Sequence, residues 1–127
     1  MTRRPIWLGA FWLSVLAGTV VSLLPGPQLP DPWFPAADKL QHAVAYAVLF
    51  ILGRQAGYRS RWGLPLGLLA LGVAIELAQG AFTETRSAEW LDGVADAVGI
   101  GFGQLIASWL ERERAAASTR VEQKHCR

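Results

Sequence analysis

The chain has 127 residues, enough for one domain, of which 52% are hydrophobic, and it carries a net charge of +2 at neutral pH. Its basic residues are spread over three short segments and do not gather on one face, which argues against a nucleic-acid partner. The only cysteine, Cys126, excludes an internal disulfide, and with its neighbour His125 it is too small a set for a metal site, so we expect no metal and no cofactor.

Long apolar segments dominate the sequence. Residues 6–24 contain no charged side chain, residues 62–82 contain one and residues 91–110 contain two. A helix needs about 20 mostly apolar residues to cross a bilayer core of roughly 30 Å, so each segment predicts a membrane-spanning helix. A fourth helix is expected over residues 38–57. Its apolar part is shorter, and we expect it to cross with Arg54 reaching to the interface.

The first apolar segment follows Arg3 and Arg4, as it would in a signal peptide. It is too long for one and lacks a small-x-small cleavage site, so we expect a retained first helix. Prolines recur throughout residues 25–35 and predict an extended loop, because proline lacks an N–H and ends helices. Asp38, just after this loop, is suited to be the N-cap of the second helix.

The distribution of lysine and arginine predicts the orientation, because short cytoplasmic loops are enriched in both. Basic residues concentrate before the first helix, between the second and third, and after the fourth, whereas the other two loops hold only Lys39 and Arg86. Four crossings with both termini in the cytoplasm place every basic cluster inside. We therefore predict an all-α bundle of four transmembrane helices over residues 1–110, and a cytoplasmic polar tail over 111–127. Residues 111–114 should prolong the fourth helix, and the rest of the tail should be disordered.

This topology brings polar side chains from three helices to the outer half of the bundle. The residues are Asp38, Lys39, His42 and Tyr46 on the second helix, Glu76 and Gln79 on the third, Arg86 in the next loop, and Asp92 and Asp96 on the fourth. An ionisable group inside a membrane costs at least about 2.5 kcal/mol at the helix centre and usually faces the bundle interior. We therefore expect His42, Glu76 and Asp96 to meet, with Glu76 either protonated or paired to His42 or Arg86.

Each polar residue also has a purely structural interpretation. Asp38 can serve only as an N-cap, and Asp92 only as a complement to the helix dipole. Tyr46 can be a packing residue, and the deeper side chains can form a network that merely holds the helices together.

Small residues on the fourth helix predict close packing. Gly99 and Gly103 form a G-x-x-x-G pattern on the stripe that also carries Asp92 and Asp96. Such a pattern lets helix backbones approach each other. We interpret it as packing within the chain before dimerisation, and we leave the oligomeric state open.

These residues resemble the VanZ-like family of small bacterial membrane proteins. The matching pattern is Asp38-Lys39-x-x-His42-x-x-x-Tyr46, then Glu76-x-x-Gln79, then Arg86-Ser87, then Asp92-x-x-x-Asp96-x-x-Gly99. It covers residues 38–103 in the family's order and helix placement. Two positions depart from the family: Ala43 replaces the usual aromatic residue, and Asp96 replaces the usual asparagine, which adds a negative charge.

The resemblance implies a multi-pass protein of the bacterial cytoplasmic (inner) membrane and of the cell envelope. The family's namesake is associated with resistance to the glycopeptide antibiotic teicoplanin, a role that a shared fold does not transfer. We expect the outward-facing polar residues to bind a lipid headgroup, a lipid-linked cell-wall precursor or a protein partner.

Two other functions fit the same residues. A small membrane enzyme would use His42 as a general base on a lipid-linked substrate, with Glu76 or Asp96 orienting it or holding a divalent cation. The sequence offers no clear nucleophile, so catalytic residues stay unassigned and a non-enzymatic role is favoured. Proton-coupled transport would use the intramembrane Glu and His as a relay, although four helices enclose little volume.

Overall fold

The computed structural model describes residues 3–23, 37–82 and 90–127, and all regular structure in these ranges is α-helical. The helices are α1 (Arg4–Leu23), α2 (Ala37–Gln55), α3 (Gly63–Phe82) and α4 (Trp90–His125). The prediction of an all-α fold is confirmed. The observed ends lie close to the predicted ones except at the C-terminal end of α4.

The helix α4 continues to His125, so the prediction of a disordered tail is wrong. Two features explain the extension. Glu111 accepts hydrogen bonds from Arg54 Nε at 3.1 Å and Arg54 Nη2 at 3.0 Å, and Arg114 donates to Gln55 Oε1 at 2.7 Å. The tail also starts with good helix formers and extends a helix that is already nucleated, which removes the main cost of helix formation.

Contacts between the helices define their directions. Arg4 Nε, at the start of α1, donates to Ala56 O just after the end of α2, so these two helices are antiparallel. Gln79 Nε2, near the end of α3, donates to Ser22 O near the end of α1 at 2.6 Å, so α1 and α3 are parallel. The helices α2 and α3 each contact all three others, and the most extensive contact joins α2 to α4.

The helices α2 and α4 are parallel and pack through glycines. Gly99 lies directly against the backbone of Ala43. One turn further on, a Cβ atom at Gly103 would be only 2.8 Å from Ala47 O and 2.9 Å from Phe50 Cβ. The G-x-x-x-G pattern therefore packs within the chain, where it allows the two backbones to approach each other.

The distribution of apolar and charged side chains is opposite to that of a water-soluble protein. Leu13, Leu77 and Leu105 are 66–68% exposed, whereas Glu76 is 8% and Asp96 only 1% exposed. The helices α1, α3 and α4 are long and apolar enough to cross a membrane. Among the described helices α2 is the exception, because polar residues near both of its ends lower its hydropathy. The structure thus supports a membrane protein with at least three candidate spans.

Candidate functional site

A cluster of ionisable side chains lies between α2, α3 and α4, at the end of the bundle where α2 and α4 begin and α3 ends. We call it the polar cluster, and its members are Lys39, His42, Glu76, Asp92 and Asp96. The helices bring these residues together because i and i+4 positions share one helix face. On α4, Asp92 and Asp96 are four residues apart. On α2, Lys39 and His42 are three residues apart, which also places them on one face.

A hydrogen bond between His42 and Asp96 joins α2 to α4 within the cluster. His42 Nδ1 lies 2.9 Å from Asp96 Oδ1, a carboxylate that is almost fully buried. A neutral imidazole can donate this hydrogen bond only when its proton is on Nδ1. The other ring nitrogen, Nε2, is then an acceptor, and it lies 3.9 Å from Asp92 Oδ2. The His42 side chain is 21% exposed, so the pair lies at the edge of the protein interior.

Lys39 lies against Asp92, with 2.6 Å between Nζ and Oδ1. Lys39 and Arg86 are the two cations among the outward-facing polar residues predicted from the sequence. Lys39 is engaged by a carboxylate, whereas Arg86 lies outside the described residues. An anionic ligand would therefore have to compete with Asp92 for the lysine ammonium.

Glu76 contributes a buried carboxyl group from α3. One ligand atom each of His42, Glu76 and Asp92 can be chosen so that all three lie within 4.8 Å of one another. Glu76 and Asp92 are both buried, with 8% of each residue exposed. Three helices therefore place an imidazole and two carboxyl groups around one small volume. The helix depths predicted Asp96 as the second carboxyl group of this trio, and in the structure Asp92 has that position.

Tyr46 and Gly72 complete the inner wall of the cluster. Tyr46 is buried, and a Cβ atom at Gly72 would lie 3.1 Å from its hydroxyl and 2.5 Å from Asp96 Oδ2. Only a glycine lets α3 approach Tyr46 and Asp96 this closely. Gly72 was not among the site residues predicted from the sequence. Gly72 lies one turn before Glu76, so a search for small residues on the face of each buried carboxylate would have found it.

Gln79 contacts α1, and the side chain of Asp38 is not described. Gln79 donates to the Ser22 carbonyl of α1, so one of its contacts supports the packing of α1 on α3. Asp38 belongs to the first turn of α2, but its side chain lies outside the described part of the chain. The role of the Ser22 carbonyl was not foreseen, because a backbone acceptor leaves no trace in the sequence.

The arrangement can bind a cation, accept hydrogen bonds or hold a proton, since carboxylates outnumber basic groups among its five members. Serine, threonine and cysteine, the usual nucleophiles, do not occur among these five residues. No family model, curated protein or solved structure matches the chain.

Proposed function

We propose that this chain is a VanZ-like integral protein of the bacterial cytoplasmic membrane, and that its polar cluster binds the headgroup of a lipid or lipid-linked cell-wall precursor. The observation that carries the proposal is the convergence of His42, Glu76 and Asp92 from three helices at one end of the bundle. Ionisable residues between membrane helices are costly, and they commonly mark functional sites.

Helix packing alone does not require so many ionisable groups. The helices α2 and α4 already meet through Gly99 and Gly103, and one polar pair, His42 with Asp96, would suffice as an interhelical contact. Buried ion pairs contribute little net stability, since desolvation offsets their attraction. The additional carboxyl groups of Glu76 and Asp92 are therefore better explained by a ligand than by stability.

We further propose four membrane crossings with both termini in the cytoplasm. The helix α2 accompanies α4 from the His42–Asp96 contact at one end to the Arg54–Glu111 contact at the other. The segment from His42 to Arg54 is about 18 Å long, so α2 would cross a locally thinned layer, with Arg54 extended to the surface. The polar cluster then opens towards the external leaflet.

Thiol labelling tests this topology. Cys126 is the only cysteine of the chain and is exposed on the tail. We expect a membrane-impermeant maleimide to modify it only after the cells are opened. In a Cys126→Ser background, a cysteine introduced at Ser60 should behave in the same way, whereas one introduced at Ser87 should react in intact cells. Labelling of position 60 from outside would contradict the proposed orientation.

Native mass spectrometry from mild detergent tests headgroup binding. The wild type should retain a lipid whose headgroup carries amine or hydroxyl donors, and Glu76→Gln or Asp92→Asn should retain at least roughly fivefold less, because each replaces a carboxyl group that accepts from the headgroup with a weaker, neutral acceptor of the same size. Glu113→Gln is the matched control, since Glu113 is exposed on the tail. Equal retention by the site variants and the control would argue against the polar cluster as the lipid site. A protein of constant mass in place of lipid would favour a protein partner.

A membrane hydrolase acting on a lipid-linked substrate is the second candidate. It is favoured by the His42–Asp96 hydrogen bond, because a carboxylate that orients an imidazole is typical of a general base. The reaction would then use water as the nucleophile. Turnover of a lipid-linked substrate that is lost in His42→Gln would raise this candidate above simple binding.

A further inference from the structure

Contrary to the expectation of no metal from the sequence, we propose that His42, Glu76 and Asp92 form a binding site for a divalent transition-metal ion such as Zn²⁺ or Mn²⁺. One ligand atom from each residue lies within 4.8 Å of the other two. Two ligands at 2.0–2.2 Å from a tetrahedrally coordinated ion are roughly 3.4 Å apart. Side-chain movements of up to about 1 Å, comparable to ordinary thermal displacements, would therefore close the site.

The orientation of His42 suits metal binding. A histidine that binds a metal usually donates its second ring N–H to a carboxylate or carbonyl, which fixes the ring and its tautomer. Asp96 is such a partner, with Oδ1 2.9 Å from Nδ1. The acceptor Nε2 faces Asp92 Oδ2 at 3.9 Å, which is too long for a hydrogen bond and about 0.5 Å longer than the separation of two ligands of one tetrahedral ion.

The charge balance of the polar cluster also favours a cation. Its acidic members are Glu76, Asp92 and Asp96, and its only lysine is Lys39. Ionised carboxylates are expensive to keep in a low-dielectric layer, so a divalent ion among them would stabilise the charged forms. The Lys39 ammonium lies on the Oδ1 side of Asp92, whereas Oδ2 is the oxygen that faces the imidazole.

The ligand set narrows the choice of ion. Imidazole suits Zn²⁺, Fe²⁺ and Cu²⁺, while carboxylates suit Mn²⁺ and Mg²⁺, so one nitrogen with two carboxylates favours an intermediate ion such as Zn²⁺ or Mn²⁺. Three protein ligands leave at least one coordination position open. A phosphate oxygen of the proposed headgroup could fill it, and only this last step rests on the function proposed above.

The metal is best measured on the full chain without a histidine tag, in lipid-depleted detergent, after removal of bound metal by a chelator. His125→Ala and Cys126→Ser are introduced first, since these exposed tail residues could bind Zn²⁺ themselves. We expect about one Zn²⁺ per chain by elemental analysis after gel filtration. Mn²⁺ should give a pulsed EPR spectrum with coupling to a directly bound imidazole nitrogen.

The variants His42→Gln, Glu76→Gln and Asp92→Asn should each weaken binding at least roughly tenfold, whereas Glu113→Gln should not. The nitrogen coupling should disappear in His42→Gln. Substoichiometric metal, or Mn²⁺ without nitrogen coupling in the wild-type site, would overturn the inference even if a variant failed to fold. Equal affinity of the site variants and Glu113→Gln would do so too.

The two proposals fail separately. If metal binds to the three residues and no lipid is retained, the metal site is supported and the proposal of headgroup binding is rejected. Lipid retained by chelator-treated protein, with no metal bound on titration, would support headgroup binding and reject the metal site.

Discussion

Replacing Gly99 with leucine is expected to prevent stable packing of α2 on α4. Even a Cβ atom at this position would overlap the backbone of Ala43, including its carbonyl oxygen. A neighbouring side chain can change rotamer, but a helix backbone can yield only if the whole helix moves. Overpacking of a well-filled interior costs about 1–3 kcal/mol, and we expect at least the upper end of this range here. Thermal unfolding in mild detergent and the fraction of monodisperse protein on gel filtration measure the effect.

The matched control is Gly101→Leu on the same helix. Gly101 is exposed, and a Cβ atom there would meet no other atom within 4 Å. Both substitutions raise helix propensity by a similar amount, so their difference isolates the α2–α4 contact. Equal stability of the two variants would show that the close approach at Gly99 does not hold in the folded protein.

The helices and their approximate ends could be predicted because a bilayer imposes a length on each apolar segment. Three uncharged or nearly uncharged segments of sufficient length became α1, α3 and α4. The meeting of His42 with Asp96 could also be predicted, since both residues lie near the start of helices that cross in the same direction and so have a similar depth. This inference needs only the rise per residue and the cost of exposing charge to hydrocarbon.

The other features of the fold and of the polar cluster depend on contacts between residues that are distant in the sequence. Alternating crossings already make α2 and α4 parallel, but depth alone does not decide that these two helices touch each other. The engagement of Lys39 by Asp92 depends on the rotamers of both side chains. The helical tail depends on the Arg54–Glu111 contact, which a composition-based prediction of disorder ignores. Each of these facts comes from tertiary context.

Replacing Asp96 with leucine should destabilise the protein by about 2–3 kcal/mol, because His42 would lose its hydrogen-bond acceptor at a buried position. Asp96 is 1% exposed and is one of the two largest fully buried side chains among the described residues. Asp96→Asn should cost less than about 1 kcal/mol, since the amide oxygen can still accept from His42 Nδ1. Reversible unfolding in mixed micelles, followed by circular dichroism, measures both differences.

Comparison of the double variant His42→Leu/Asp96→Leu with the two single variants separates the free energy of the hydrogen bond from the effects of changed side-chain volume and shape. If the pair interacts as its 2.9 Å contact indicates, the double variant should be more stable than the sum of the single effects predicts, by about 1–2 kcal/mol. Ala97→Leu, at an exposed position next to Asp96, should change stability by no more than about 0.5 kcal/mol. Additive single effects would mean that His42 and Asp96 are neighbours without energetic coupling. The polar cluster would then lack the oriented imidazole from which the metal site is inferred.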